Sequence, residues 1–176
     1  MMASDAELQN VMRNLNRELT NIKVRSARGL VLAAATIRRD TETTPPLTPV
    51  DLGNLRASWF VTVTKVKSVD LPQVTNEAGK IVKEGSFRGY QNARMAEDHR
   101  STIAEAQAFV NSINRNKIVL MMGYSAHYAL YVHEGPHGLT NVNFQRPGAG
   151  LKWFEAAVGR NARKIVNIIR DNARIK

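Results

Sequence analysis

Residues 57–67, ASWFVTVTKVK, set the fold class of this chain. Hydrophobic and polar side chains alternate along this stretch, which is typical of a β-strand. The two faces of the predicted strand carry Trp59, Val61 and Val63, and Phe60, Thr62, Thr64 and Val66. Because most of the remaining sequence has helical spacing, a strand here predicts a mixed α+β domain and not a helical bundle.

A long helix precedes the predicted strand. Hydrophobic residues recur three and four positions apart between Leu8 and Ile37, which is helical spacing. The proline-rich stretch at 43–49 ends the helix, since proline lacks the backbone N–H that a helix interior needs. Gly29 is expected to kink or divide it. If unbroken, the helix would be about 54 Å long, so part of it is expected to project onto a neighbouring molecule.

An insertion follows the predicted strand. Residues 70–115 form this insertion, and its first part, up to about residue 100, is predicted to be irregular because it is rich in glycine and polar residues. A capping-box pattern, TIAE, then predicts that a helix starts at Thr102. Long insertions of this kind inside compact domains are usually functional or disordered.

The C-terminal part of the chain predicts one more strand and two helices. KIVLMMG at 117–123 is typical of a short buried strand. A short helix is expected within 124–134, ended by Gly135-Pro136, and a last helix over about 150–173. The predicted buried face of the last helix carries Leu151, Phe154, Val158, Ala162, Ile165 and Ile169.

These elements predict a single domain over residues 1–176. Its predicted architecture is α+β: long N-terminal and C-terminal helices pack on a small, mostly antiparallel sheet, with the long insertion between its strands. At 176 residues the chain is large enough to bury a real core.

Composition excludes several functional classes. Cysteine is absent, so the chain has no disulfide bond and no thiolate for metal binding or nucleophilic attack. No run of about 18 apolar residues predicts a membrane span, and the first residues lack the apolar stretch of a secretory signal. We therefore expect folding in the cytosol and no membrane partner.

A net charge of +10 leaves nucleic-acid binding open as an alternative function. Residues 151–176 contain seven Lys or Arg against two acidic residues. Solvated helix faces are the favoured explanation of this excess. Aromatic residues are not interleaved with the basic ones, as stacking platforms for bases would require.

The sequence HEGPH at 133–137 matches the H-E-x-x-H pattern of zinc proteases. That pattern binds zinc because a helix places its two histidines one turn apart. Gly135 and Pro136 lie between His133 and His137, and proline in a helix interior costs about 3 kcal/mol. We therefore expect no metal and no cofactor. A zinc-dependent hydrolase with Glu134 as its base remains a further alternative.

Three segments in a fixed order resemble one protein family. They are TPVDLGNLRASW at 48–59, YSAHYALYVHEG at 124–135 and GAGLKWFEAAV at 148–158. The first resembles a proline-then-glycine turn leading into a strand, the second a tyrosine-rich segment ending in acid and glycine, and the third the approach to a final helix. As an ordered set they are similar to the head–tail joining and tail-completion (neck) proteins of long-tailed bacteriophages, often described as minor capsid proteins. Leu52 departs from that family, which has threonine there.

This resemblance implies a non-enzymatic virion protein at the phage neck, assembled in the host cytoplasm. Its implied partners are further copies in a ring, six-fold by preference, and portal, adaptor and tail proteins, close to the packaged DNA. The residues expected to build its structure and interfaces are Gly53, Leu55, Arg56, Trp59, Tyr128, Tyr131, His133, Glu134, Gly135, Lys152, Trp153 and Phe154.

Specific roles follow for some of these residues on this interpretation. Gly53 is expected to adopt a positive φ in a tight turn that directs Leu55 and Trp59 into the core. Arg56 and Glu134 are predicted to form a partly buried ion pair between that turn and the short helix.

Overall fold

The computed structural model describes residues 5–49, 54–64, 90–113, 117–135 and 143–174. The fold is mixed α+β, as predicted, with long N-terminal and C-terminal helices and a small antiparallel sheet. In chain order the elements are α1 (Asp5–Thr43), α2 (Asn54–Ala57), β1 (Trp59–Val63), α3 (Tyr90–Ser112), β2 (Leu120–Tyr124), α4 (Ala129–Glu134) and α5 (Trp153–Ala173).

The sheet lies between two helices. Strands β1 and β2 pair antiparallel, with Trp59 opposite Tyr124 at one end and Val63 opposite Leu120 at the other. Val63 packs against Ala27 and Val31 of α1. The neighbouring Thr62 points to the opposite face, where its hydroxyl bonds to Gln107 of α3. The alternation that predicted the strand therefore separates a face that packs on α1 from one that packs on α3.

Helix α1 runs unbroken through 39 residues, about 58 Å. The helix is not divided at Gly29, where the missing side chain lets α5 approach closely. A Cβ at Gly29 would lie 3.1 Å from Asn172 Cβ and 3.2 Å from Ile169 Cα, closer than such atoms normally pack. Glycine at this position therefore serves contact between helices.

Alanine substitutions at two helical glycines should have opposite outcomes. Gly159→Ala faces open space on α5 and should raise the free energy of unfolding by about 0.5–1 kcal/mol through helix propensity. Gly29→Ala should give no such gain, and Gly29→Leu should lower the free energy of unfolding by about 1–3 kcal/mol through overpacking. Urea unfolding measures all three. An equal gain at both glycines would contradict the close approach of α5.

Helices α1 and α5 pack antiparallel, and α5 covers only the second half of α1. Asn172 lies beside Gly29, and Arg160 bonds to Asp40 at 2.6 Å, so the two helices run in opposite directions. Residues 5–20 are all exposed. Five large hydrophobic side chains in this half are 48–61 % exposed: Leu8, Val11, Met12, Leu15 and Leu19. The first half of α1 therefore projects from the body, as its length predicted.

The insertion differs from its sequence-based prediction. Helix α3 already begins at Tyr90, so the predicted start at Thr102 is wrong and residues 90–100 are not irregular. The TIAE pattern lies inside the helix, where the same residue types are also tolerated. The rest of the predicted irregular part, residues 70–89, lies outside the described residues.

The predicted buried face of α5 is correct only in part, since Phe154, Ile165 and Ile169 are partly buried. Trp153 and Ala157 are buried, whereas Val158 and Ala162 are exposed. Hydrophobicity alone favoured Val158. Small side chains on the true face allow α1 and α5 to pack closely, and Ala157 is completely buried.

Candidate functional site

The three segments that carry the family resemblance meet at one hydrophobic cluster, which we call the Trp153 junction. Its buried members are Leu55, Ala126, Ala129 and Trp153, and the partly buried Tyr124, Tyr128, Val132 and Phe154 pack around them. Leu55 comes from the first segment, Trp153 from the third, and most of the others from the second. The predicted core role of Leu55 is therefore confirmed.

Aromatic rings hold the junction together. Trp153 is 1 % exposed and is among the largest fully buried side chains in the described residues. Its ring meets that of Tyr124 edge to face at 5.9 Å and that of His133 at 4.7 Å. Tyr124 also meets Phe154 edge to face at 6.1 Å. Such pairs contribute about 0.5–1.5 kcal/mol each beyond the area that they bury.

The short helix α4 ends where the sequence predicted, between the two histidines of HEGPH. Its last residue is Glu134, and Gly135 leaves the helix with φ of 80°. The His133 ring is occupied by neighbours: Nδ1 lies 2.8 Å from Glu134 Oε1, and the ring packs on Trp153. His137 lies outside the described residues, among which no group of three His, Asp or Glu side chains is arranged for a metal ion.

Glu134 bridges α4 to the start of α5. One carboxylate oxygen bonds to the ammonium of Lys152 and the other to His133. Lys152 has φ of 57° and donates its backbone N–H to the carbonyl of His133 at 2.9 Å. The predicted ion pair between Arg56 and Glu134 is wrong. Arg56 pairs with Glu42 instead, and Glu134 pairs with Lys152.

These contacts shift two pKa values. The hydrogen bond from Lys152, with a second contribution from His133, holds the pKa of Glu134 below its usual value. The same hydrogen bond raises the pKa of Lys152. Both side chains are nearly half exposed, so solvent screens the pair and its contribution to stability is small.

The pair should stabilise the fold only in a middle range of pH. Because the Glu134 pKa is lowered on folding, its contribution is complete above the ordinary value of 4.5 and is lost as pH falls through the folded pKa. Because the Lys152 pKa is raised, its contribution is complete below 10.5 and is lost as pH rises further.

Glu134→Gln should therefore be slightly less stable than wild type between about pH 5 and 10, and the difference should shrink outside that window. Urea unfolding across the pH range measures it. Glu18→Gln, on the projecting half of α1, is the matched control. A difference that persists unchanged at about pH 3 would contradict a role for the Glu134 charge.

A second polar site, which we call the Glu42 cluster, lies beside the junction. The Glu42 side chain is 11 % exposed and faces three arginines. Its carboxylate oxygens lie 2.8 Å from Arg38 Nη1, 2.7 Å from Arg56 Nε and 3.0 Å from Arg146 Nη1. Arg146 also donates to the carbonyls of Glu42 and Thr48, both at 2.9 Å. The cluster therefore joins the end of α1 to α2 and to the loop before α5.

Arg38 links the Glu42 cluster to the junction. It donates to the hydroxyl of Tyr124 at 3.0 Å and to the carbonyl of Arg56 at 2.8 Å. Its guanidinium also lies 5.7 Å from the ring centres of Trp59 and Tyr124, within range of a cation–π interaction. Trp59 was predicted to point into the core. It is only partly buried, so it lies at the edge of the core.

Two more of the predicted interface residues, Tyr131 and Gly53, lie outside the junction or outside the described residues. Tyr131 is 63 % exposed on α4, beside Leu130 at 72 %, and is not part of the core. Gly53 lies outside the described residues.

Sequence reasoning missed Glu42, Arg38 and Arg146. Only the spacing of Arg38 and Glu42, one helical turn apart, pointed to part of this cluster.

Comparison of the chain with protein-family models, with curated proteins and with solved structures found no match in any of the three. Among the described residues, none of the helices combines the length and the apolar character that crossing a bilayer demands.

Proposed function

We propose that this chain is a structural virion protein of a tailed bacteriophage, which forms an oligomeric ring at the neck and joins or completes the head–tail connection. The observation that carries the proposal is the meeting of the three resembling segments at the Trp153 junction. Segments that are far apart in sequence and resemble one family are expected to serve one shared structure. Virion location, six-fold symmetry, and portal, adaptor and tail proteins as partners belong to this proposal.

The outer face of α4 is the surface that we assign to contact with a neighbouring subunit. Leu130 and Tyr131 point away from the junction and are the most exposed large hydrophobic residues in the described chain. Exposed tyrosine is favoured in interfaces because it combines apolar area with a polar tip. The underlying aromatic cluster holds α4 in place, so this surface is rigid before a partner binds. A rigid surface loses little entropy on binding.

Such a protein works by complementary surfaces. A closed ring needs heterologous contacts, in which one surface of each subunit meets a different surface of the next. In the proposed ring, the outer face of α4 supplies one of the two surfaces. The chain is assembled in the host cytoplasm and needs no catalytic group for this function.

Electron microscopy of the purified chain tests the proposal. The protein is imaged alone and mixed with the portal, adaptor and tail proteins encoded beside it, and closed rings or neck complexes are expected. Tyr131→Asp should abolish ring formation, whereas Val166→Asp, which alters an exposed hydrophobic residue on α5, should not. A chain that forms no ring and binds none of these proteins would overturn the proposal.

Nucleic-acid binding is a second candidate, favoured by one basic helix face. Arg160, Arg163, Arg170 and Arg174 recur on one side of α5 at helical spacing, and all four are exposed. Arg160 is engaged by Asp40, and Arg170 and Arg174 lie 3.5 Å and 4.0 Å from the Asp171 carboxylate. Binding to double-stranded DNA should then weaken steeply as salt increases. Binding that is absent, or indifferent to salt, would eliminate this candidate.

A further inference from the structure

The projecting half of α1 carries a continuous apolar stripe, formed by Leu8, Val11, Met12, Leu15, Leu19 and Ile22. At 100° per residue these side chains cover an arc of about 100°, which is the width of a helix face that packs against another helix. The five residues before Ile22 in this list are about half exposed. Among the described residues, no element covers the stripe.

A helix in this position needs a partner for its stability. Residues 5–20, which are all exposed, extend about 24 Å from the body. Asp5 and Glu7 in the first turn favour the helix through its dipole, but only modestly. Most helical stability in proteins comes from packing an amphipathic face. The stripe therefore implies an occupant.

The spacing of five members of the stripe is symmetrical about Leu15, whereas the position that mirrors the sixth member, Met12, is Glu18. Val11 and Leu19 each lie four residues from Leu15, and Leu8 and Ile22 each lie seven residues from it. If a second copy of the helix runs antiparallel with Leu15 against Leu15, each Val11 meets a Leu19 and each Leu8 meets an Ile22. A helix face with this symmetry is complementary to itself.

The charges favour the same arrangement. Asp5 and Glu7 lie at one end of the stripe, and the partly buried Lys23 lies at the other. Arg25 is also at the basic end, but its Nε and Nη2 atoms are buried within the subunit. Antiparallel pairing brings the acidic end of each copy beside the basic end of the other. Parallel pairing would place acid beside acid and base beside base, which is destabilising.

We propose that the stripe is a homodimer contact, in which a second copy of this chain packs its own projecting helix antiparallel across it, centred on Leu15. The contact is isologous, since the same surface serves both copies. It does not rest on the proposed ring, for which the assigned surface is the outer face of α4 and whose contacts are heterologous. The dimer and the neck function can therefore be tested independently of each other.

Single cysteines test the geometry directly, because the chain contains none. Leu15→Cys should form a disulfide-linked dimer under mild oxidation, at least about ten-fold faster than Arg17→Cys on the opposite face, since the contact concentrates the central thiols. Leu8→Cys should link poorly to itself but readily to Ile22→Cys when the two variants are mixed. Leu8, Leu15 and Arg17 are exposed and Ile22 is partly buried, and circular dichroism checks that the helix is retained in each variant.

Light scattering provides an independent measurement. In the Tyr131→Asp background, which removes the proposed ring contact, the chain should change from monomer to dimer as its concentration rises. Adding Leu15→Asp to this background should keep the chain monomeric, whereas adding Leu130→Asp should leave dimerisation unchanged. Equal self-linking of the Leu8→Cys and Leu15→Cys variants would indicate a parallel pair and overturn the proposal. So would a Tyr131→Asp chain that stays monomeric at all concentrations, or a Leu15→Cys variant that links no faster than Arg17→Cys, which would mean that another segment or partner covers the stripe.

Discussion

Replacing Trp153 with alanine should lower the free energy of unfolding by about 3–5 kcal/mol, the largest effect expected for one hydrophobic residue in this chain. Trp153 is 1 % exposed and touches β2 and α4 through Tyr124 and His133. Its removal leaves a cavity where α4, β2 and α5 meet. The melting temperature should fall by about 6–20 °C, at roughly 2–4 °C for each kcal/mol in a chain of this size.

Two further variants show whether packing causes the loss at Trp153. Leu130→Ala, on the exposed side of α4, should change stability by less than about 0.5 kcal/mol. Trp153→Phe should cost much less than alanine. It keeps most of the ring, and it removes the indole N–H, which is buried without a hydrogen-bond partner among the described residues. A loss below about 1 kcal/mol for Trp153→Ala would mean that the junction does not anchor the three segments.

Replacing Glu42 with alanine should lower the free energy of unfolding by about 3–5 kcal/mol. The carboxylate lies within ion-pairing distance of Arg38, Arg56 and Arg146. Without it, three guanidinium groups converge with no compensating charge. Arg38 and Arg146 are more than four-fifths buried, so water relieves little of the repulsion, whereas Arg56 is 41 % exposed and is relieved more easily.

A second variant separates the effect of the Glu42 charge on stability from the effect of its side-chain size. Glu42→Gln keeps the size of the side chain but removes the charge, so most of the loss seen with alanine should remain. Glu18→Ala, an exposed glutamate of the same helix, is the matched control and should change stability by less than about 0.5 kcal/mol. Chemical unfolding at neutral pH measures each variant. If Glu42→Gln were as stable as wild type, side-chain packing rather than charge would hold the cluster.

Local sequence patterns predicted the features that depend on neighbouring residues. The alternation around Trp59 identified β1, and Gly135 marked the end of α4 because its backbone φ suits the exit from a helix. The length of α1 predicted that part of it projects. In each case the physical cause lies within a few residues of the pattern, so one stretch of sequence contains the information.

Features that depend on distant contacts were missed or misassigned. Glu42 and Arg146 are 104 residues apart, and no spacing in the sequence connects them. Glu134 required a basic partner, but Arg56 and Lys152 both satisfied that requirement, and only the packing of α4 against α5 selects Lys152. The role of Gly29 was misassigned for the same reason. Its effect depends on Ile169 and Asn172, which approach it only in the folded chain.

The unbroken course of α1 also has a mechanical consequence. A helix anchored in the body from Ala27 onward acts as a lever about 33 Å long from its fulcrum to Asp5. A tilt of only about 10° at the fulcrum moves the tip by roughly 6 Å, close to one helical pitch. A small change in the angle at which α5 packs on α1 would therefore produce a large displacement at the N-terminal end of α1.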